Sequence, residues 1–137
     1  MKKYEFFEHT ADIGIKAYGK TIEEAFENSA LGITNIITNT EQVEPTKQIQ
    51  IKAEAENLQA LLYEWLEEII IKFDTKRLIF SKFKVEIENN KLKATCRGEE
   101  FNTDKHIVGT EVKAITYHMM NIEESKKGWE ISFVPDI

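Results

Sequence analysis

The sequence predicts an α+β fold in which two helices pack on a mainly antiparallel sheet, within a single domain that spans residues 1–137. Three observations support this class. The length of 137 residues suits one domain with a sizeable core. Only two segments have helical periodicity, whereas several others alternate between apolar and polar side chains as strands do. Some of these strands follow one another through short turns, as in antiparallel hairpins.

The first part of the chain predicts two strands and a helix. Residues 4–8 are rich in aromatic side chains and residues 13–18 alternate, so both segments are expected to be strands. Residues 9–12 form a short polar connection between them. Residues 21–24 have the Thr-x-x-Glu spacing of a capping box, so a helix is expected to begin there and to keep one apolar face to about residue 37.

The middle of the chain predicts a half-buried strand and a longer helix. Residues 49–55 alternate, and Asn57 is a suitable N-cap for the helix that follows. The apolar stripe of this helix consists of Leu58, Leu61, Leu62, Trp65, Leu66, Ile69 and Phe73. Glu64, Glu67 and Glu68 lie off the stripe, and we expect a solvated face there; the alternative is a docking site for a basic partner.

A hairpin is predicted next. Residues 78–87 and 92–96 flank Asn89-Asn90, and asparagine tolerates the positive φ that two-residue hairpin turns require. Cys96 lies within an alternating strand, where it is expected to be a small buried residue.

The C-terminal part is expected to contain an exposed loop and two strands. Residues 101–108 are polar enough to be the loop. Residues 112–119 and 130–134 are expected to be strands, joined through the polar residues 123–128.

The composition is acidic. Eighteen Lys and Arg against 24 Asp and Glu give a formal net charge of −6, which argues against unaided binding to nucleic-acid phosphates. Any role in RNA chemistry is therefore expected to run through a partner protein. The single cysteine cannot form an intramolecular disulfide, and no apolar run approaches the length of about 18 residues that spans a bilayer. We expect a soluble, cytoplasmic protein.

The motifs that most often indicate catalysis are missing from the sequence. It contains no Walker A loop, no GxGxxG, no Gly-x-Ser-x-Gly elbow, no CxxC and no HExxH. A nucleophilic enzyme is therefore disfavoured.

Carboxylates could converge from the two ends of the chain. Asp136 is one residue from the α-carboxylate of Ile137, and if Asp12 lies close to them, three negative charges meet. Such hard oxygens suit Ca²⁺, or Mg²⁺ or Mn²⁺ with waters, rather than Zn²⁺. The alternative is that Asp12 caps a turn and the terminus frays. His9 alone is more typical of a local hydrogen-bonding residue than of a ligand or a base.

Residues 106–118 form a second polar cluster. On the strand predicted there, Lys113 and Tyr117 share one face, and Thr116 and His118 share the other. Each face mixes polar and apolar groups, which indicates that some of them line a cavity or a contact surface. The alternative is a set of polar groups satisfied within the sheet.

Three motifs, in this order, resemble the archease family. They are residues 9–15 (His-Thr-Ala-Asp-Ile-Gly-Ile), residues 111–118 (Glu-Val-Lys-Ala-Ile-Thr-Tyr-His) and the terminal Asp-Ile. The similarity covers the whole chain, including residues 21–26 at the start of the first helix and the tryptophan of the second. One departure is Pro135, which stands where the family usually has an apolar strand residue and which removes an amide donor.

The resemblance implies a non-enzymatic accessory protein of the RtcB-type RNA ligase, which joins RNA 2′,3′-cyclic phosphate or 3′-phosphate ends to 5′-hydroxyl ends in tRNA splicing. Archease is understood to promote guanylylation of this ligase and its multiple turnover. By matching position, the resemblance assigns Asp12, Asp136 and the main-chain carboxylate of Ile137 to a divalent cation, Ca²⁺ first, with Mg²⁺ or Mn²⁺ as alternatives.

The remaining motif positions are expected to contact the ligase or to line the site. They are His9, Lys113, Thr116, Tyr117 and His118. No strong direct binding to nucleic acid and no membrane association are expected.

Two other functional classes stay open. One is a general interaction module or chaperone for an RNA-modifying enzyme such as a tRNA methyltransferase, which has also been suggested for archeases. The other is a metal-dependent hydrolase that uses His9, Asp12 and Asp136, which is less well supported because it has few ligands and no obvious general base.

Overall fold

The computed structural model describes residues 2–9 and 12–137. Its elements, in chain order, are β1 (Tyr4–His9), β2 (Asp12–Gly19), α1 (Ile22–Ile37), a short 3₁₀ helix (Thr40–Gln42), β3 (Lys47–Glu54), α2 (Leu58–Lys76), β4 (Leu78–Glu88), β5 (Lys91–Glu100), β6 (Asn121–Ser125) and β7 (Gly128–Phe133). This order confirms the predicted α+β class. Within the described residues, no helix is long and apolar enough to cross a membrane.

The strands form two antiparallel sheets. Sheet A has the order β1-β2-β7-β6, and sheet B has the order β3-β5-β4. The division into two sheets was not predicted, because it depends on which distant strands pair. Helix α1 packs against β2 of sheet A and against β4 of sheet B, and α2 packs mainly on sheet B. The side chains buried between these elements form one core.

Both predicted helix caps are confirmed. Thr21 Oγ1 accepts a hydrogen bond from the backbone N–H of Glu24 at 3.1 Å, and the Glu24 carboxylate accepts one from the N–H of Lys20. Asn57 Oδ1 accepts a hydrogen bond from the N–H of Ala60 at 2.9 Å. These side chains satisfy amides that helix geometry leaves without partners, which explains where the helices begin.

Trp65 joins the two helices. Its side chain is fully buried, and its indole N–H donates to the backbone carbonyl of Phe26 in α1 at 3.0 Å. The rest of the predicted stripe of α2 is buried or packs against the core as well. The broad apolar face read from the sequence is therefore the face that packs on the core.

The hairpin between β4 and β5 forms as predicted. Asn89 and Asn90 have φ angles of 52° and 59°, the left-handed conformation that this turn requires. Cys96 of β5 is completely buried, and burial raises the pKa of its thiol to about 12. The prediction of a small buried residue is confirmed.

The predicted strand at residues 112–119 is wrong. Residues 112–119 do not form a strand; only Ala114 makes a single bridge, to Asp136. The strand lies instead at β6, which partly overlaps residues 123–128, where a connection was expected.

Side chains explain why residues 112–119 are irregular. The Glu67 carboxylate accepts a hydrogen bond from the N–H of Ile115, and Thr116 Oγ1 accepts one from the N–H of His118. Met119 has a φ of 55°, which interrupts extended backbone. Amides that a neighbouring strand would satisfy are thus bound by side chains, despite the alternating pattern.

Candidate functional site

The register of sheet A, extended beyond its last pair, would bring Asp12 opposite the end of the chain. Asp12 is the first residue of β2 and pairs with His9 of β1. On its other side β2 pairs with β7, and this ladder ends at Ile15 opposite Phe133. Continued by three residues in the same register, the ladder would set Asp12 opposite Asp136. Because directly opposite residues of antiparallel strands project on the same face, the register favours the predicted convergence.

Pro135 accounts for the end of this ladder at Phe133. The N–H of Asp136 donates to the carbonyl of Ala114 at 2.9 Å, and the carbonyl of Asp136 accepts from the N–H of Lys113 at 2.8 Å. Alternate residues of an extended strand direct their backbone groups to opposite neighbours, so the nitrogen of Pro135 faces β2, where it has no hydrogen to donate. The segment around Ala114, rather than β2, therefore holds the terminal backbone.

The carboxylates of Asp12 and Asp136 are accessible. Asp136 is exposed and Asp12 is partly buried. In the described part of the chain, neither carboxylate forms an ion pair with a lysine or arginine. The side chain of Ile137 packs against the core, which anchors the terminus. Neither carboxylate therefore has a partner cation among residues 2–9 and 12–137.

The oxygen donors that Asp12, Asp136 and Ile137 offer suit a hard divalent cation. The donor set would consist of two Asp carboxylates and the main-chain carboxylate of Ile137, all oxygen ligands. The described residues contain no cluster of three or more His, Cys, Asp or Glu side chains arranged to hold a metal, so the terminal carboxylate would have to complete the set. The side chain of His9 and residues 10 and 11 of the first motif lie outside the described part. The metal ligands stay a prediction.

The late motif divides into one structural residue and three exposed ones. Thr116 Oγ1 donates to the carbonyl of Val134 at 3.0 Å and accepts from the N–H of His118, so it holds the segment against the last strand. Lys113, Tyr117 and His118 are exposed. The interpretation as a contact surface fits these three, whereas Thr116 fits the alternative of a satisfied polar group.

Helix α2 supports this motif through two side chains whose role the sequence did not reveal. The ring of Tyr63 stacks on Tyr117, with centroids 4.7 Å apart and planes 14° from parallel. Glu67 Oε2 accepts the N–H of Ile115 at 3.2 Å. Burial and the neighbouring charge of Glu67 raise the pKa of Tyr63. The expectation of a solvated face is therefore wrong for Glu67, although Glu64 is exposed.

The predicted exposed loop at residues 101–108 is irregular but anchored. His106 is only 2% exposed, and its Nε2 lies 2.9 Å from Oε2 of Glu99. Its Nδ1 accepts the backbone N–H of Asn102 at 2.9 Å, so Nε2 carries the hydrogen and donates to the carboxylate. The prediction of exposure is wrong for this residue, because a buried histidine can be satisfied by a carboxylate and a backbone amide.

Comparison with known proteins identifies relatives along the whole chain. Residues 4–137 match the family model of the Archease protein family. A protein archease from Thermococcus kodakarensis is 48% identical over 142 residues, and one from Sulfurisphaera tokodaii is 45% identical over 139 residues. Both alignments cover 100% of this chain and 100% of the relative.

Two solved structures have a similar fold. The solution structure of protein 1598 from Methanobacterium thermoautotrophicum has a TM-score of 0.87 and 39% identity, and it covers 100% of both chains. The crystal structure of an archease, possible chaperone, from Thermotoga maritima has a TM-score of 0.64 at 24% identity, covers 96% of this chain and 94% of that one, and shows likeness of fold alone. The family model and the relatives confirm the resemblance seen in the motifs, and the chain belongs to the archease family.

Proposed function

We propose that this protein is a non-enzymatic activator of the RtcB-type tRNA-splicing RNA ligase, and that it promotes guanylylation of the ligase and its multiple turnover. Membership of the archease family supports an accessory role in tRNA processing. The observation that carries the proposal is the pairing of Ile15 with Phe133, because the same register continued by three residues would set Asp12 opposite the exposed Asp136. The protein has accessible carboxylates but no motif for a catalytic nucleophile. This combination suits a protein that acts on the metal-dependent reaction of a partner enzyme.

Asp12, Asp136 and the terminal carboxylate of Ile137 would hold a divalent cation, with Ca²⁺ the first candidate and Mg²⁺ or Mn²⁺ the alternatives. A bound cation would offset the mutual repulsion of three carboxylates. The chain's own residues prepare the site for a partner. The Ile137 side chain anchors the terminus in the core, and the Ala114 segment holds the backbone of Asp136 while its carboxylate stays exposed.

The contact surface for the ligase would include the exposed residues of the late motif. Lys113, Tyr117 and His118 lie on the segment that bridges to Asp136, so a partner that reaches the carboxylates also meets these side chains. His9, which pairs with Asp12 in the β1–β2 ladder, is a further candidate. The sequence predicts a cytoplasmic protein, and in the cytoplasm it would meet such a partner.

Multiple-turnover RNA ligation by the cognate ligase, with and without this protein, tests the proposal. Wild type should raise both the turnovers per ligase molecule and the fraction of guanylylated ligase. Asp12→Asn and Asp136→Asn should lose most of this stimulation, whereas Asp74→Asn, which makes the same change at an exposed position of α2, should keep it.

The outcomes separate the function from the site. No stimulation by wild type would contradict the proposed function. Full stimulation by both the Asp12 and the Asp136 variant would keep the function and remove the carboxylates from its mechanism.

A chaperone for an RNA-modifying enzyme, such as a tRNA methyltransferase, is the second candidate. Exposed apolar side chains near the late motif favour it, since Ile107 is 54% exposed, Val108 68% and Met119 48%. The Thermotoga maritima protein is named a possible chaperone. A chaperone should not change the turnover of a ligase that is already folded. Stimulation of prefolded ligase would therefore argue against this candidate, and copurification with a methyltransferase instead of the ligase would favour it.

A further inference from the structure

The outward side of sheet B carries six cations, although the whole chain has a formal net charge of −6. Alternate residues of β3, β4 and β5 are buried against the helices, and those between them point away from the core. The outward cations are Lys52, Lys82, Lys84, Lys91, Lys93 and Arg97, and all six are exposed. We refer to this side of sheet B, with these six residues, as the basic face.

The charge on this face is opposite in sign to that of the whole protein. Its acidic side chains are Glu54, Glu86 and Glu88, while Glu99 at the far end of β5 is already bound by Lys105. Six cations against three acids leave a local formal charge of +3, so the rest of the chain carries −9. The net charge of the whole chain therefore does not reveal that positive charge is concentrated on this side of sheet B.

Two of the cross-strand pairs on the basic face oppose like charges. Lys52 pairs with Lys93 across β3 and β5, and Lys82 pairs with Arg97 across β4 and β5. Like charges directly opposite each other destabilise a sheet. In the described residues, none of the six cations forms an ion pair with an Asp or a Glu. The acids of this side lie at one end of it, since Glu86 is opposite Lys93 and both Glu54 and Glu88 are opposite Lys91. No acid lies opposite Lys82 or Arg97, and an anionic partner would offset the repulsion between these two.

We propose that the basic face binds the phosphate backbone of a nucleic acid without reading its sequence. Along a strand, the backbone positions of residues two apart are about 6.7 Å apart, and neighbouring strands are about 4.8 Å apart. Several of the cations can therefore contact successive phosphates. The other outward residues of this part of sheet B are Gln48, Gln50 and Thr95. None is aromatic, so the face offers no platform on which bases could stack.

The chemistry of the face argues against a protein partner. Protein interfaces are depleted in lysine and are centred on buried aromatic or apolar anchors, which these outward residues do not supply. The outward residues of this part of sheet B also include no apolar side chain that could insert into a bilayer. The inference does not depend on the proposed function, because it concerns sheet B, whereas the residues of the candidate metal site lie at the start of β2 and after the end of β7, in sheet A.

Binding to a fluorescein-labelled single-stranded RNA of 20 nucleotides, measured by fluorescence anisotropy without any ligase, tests the inference. We expect a Kd of about 10 to 100 µM at low salt, because the protein as a whole is acidic. The logarithm of the affinity should fall linearly with the logarithm of the salt concentration, by about 0.7 for each phosphate contacted.

Three matched variants locate the binding surface. Lys82→Gln/Lys84→Gln/Arg97→Gln should bind the RNA about tenfold or more weakly. Lys76→Gln/Lys126→Gln/Lys127→Gln removes three exposed cations elsewhere and should stay within about twofold of wild type. Glu54→Gln/Glu86→Gln/Glu88→Gln removes the acids of the basic face and should bind more tightly.

Several results would overturn the inference. These are no binding at low salt, equal losses in the two cation-removed variants, or an unchanged affinity when the three acids are removed. Binding to vesicles that contain phosphatidylserine without binding to RNA would assign the face to a membrane instead. Circular dichroism of each variant ensures that only folded proteins are compared.

Discussion

The carboxylate of Glu67 on α2 accepts a hydrogen bond from the backbone N–H of Ile115, at 3.2 Å. Ile115 is buried and directly follows Ala114, the residue that bridges to Asp136. One hydrogen bond therefore connects the second helix to the segment that holds the end of the chain. The candidate metal site depends on α2, even though none of its predicted ligands lies on that helix.

Glu67→Ala should loosen this segment. The variant leaves the N–H of the buried Ile115 without its acceptor, so we expect a loss of about 1 kcal/mol in the free energy of unfolding. The N–H of Ile115 should also exchange faster with deuterium, as measured by NMR. Glu64→Ala, an exposed position one turn earlier on the helix, should change neither quantity. An unchanged exchange rate at Ile115 in the Glu67 variant would show that the hydrogen bond does not hold the segment.

Trp65→Phe should destabilise the protein by about 2 kcal/mol, since it removes a buried hydrogen bond to Phe26 and leaves space in the core. Trp129 is only partly buried, so Trp129→Phe should cost less than about 1 kcal/mol. Urea unfolding followed by far-ultraviolet circular dichroism measures both. Equal losses in the two variants would contradict a special role for the contact between α1 and α2.

The network around Glu99 should make stability depend on acid pH. Partial burial raises the pKa of Glu99, but hydrogen bonds from the N–H of Glu44, from Lys105 and from His106 together lower it from 4.5 to about 2. Above about pH 4.5 the carboxylate is ionised in both the folded and the unfolded chain, so its stabilisation is fully present. As the pH falls from about 4.5 through about 2, the unfolded chain takes up the proton first and the stabilisation is lost.

Glu99→Gln isolates this contribution. The variant should be less stable than wild type near neutral pH, and the difference should shrink as the pH approaches about 2. Glu100→Gln, at the exposed neighbouring position, makes the same change outside this network and is the matched control. Urea unfolding midpoints across the acid range provide the measurement. A constant difference between wild type and Glu99→Gln would mean that the pKa of Glu99 is not lowered by folding.

Features set by local sequence could be predicted. The caps at Thr21 and Asn57 and the turn at Asn89-Asn90 depend on neighbouring residues only, and all three form as expected. The strand expected at residues 112–119 fails for the opposite reason. Its alternation is real, but the N–H of His118 is bound by the nearby Thr116 and the N–H of Ile115 by Glu67 of α2. An alternating pattern carries no information about an acceptor as distant in sequence as Glu67.

The sequence predicts which residues and which kind of ligand would form the candidate site, but not how those residues are arranged in space. Hard oxygens near the terminus and the family motifs together single out Asp12 and Asp136. Their expected alignment extends the pairing of Ile15 with Phe133, and this pairing of strands from opposite ends of the chain follows from the packed sheet rather than from either segment. The basic face shows the same limit. Lysines alternate visibly along β4 and β5, but the opposition of Lys52 and Lys93 emerges only once β3 takes its place beside β5.

Added Ca²⁺ should raise the Tm of the wild-type protein if Asp12, Asp136 and Ile137 form a metal site. A cation that binds only the folded chain stabilises it by about 2.7 kcal/mol at a concentration one hundred times its Kd. Asp136→Asn should remove the effect, and EDTA should reverse it in wild type. Two added glycines after Ile137 should weaken it, because the extension moves the terminal carboxylate while keeping both aspartates. Asp74→Asn, with the same loss of charge on α2, should retain the full shift, since it lies off the predicted site.

Differential scanning calorimetry with Ca²⁺, Mg²⁺ and Mn²⁺ in turn measures these shifts and also ranks the cations. Equal shifts in wild type and in Asp136→Asn would mean that the cation binds elsewhere, because the oxygens at the chain terminus would then contribute nothing to its affinity.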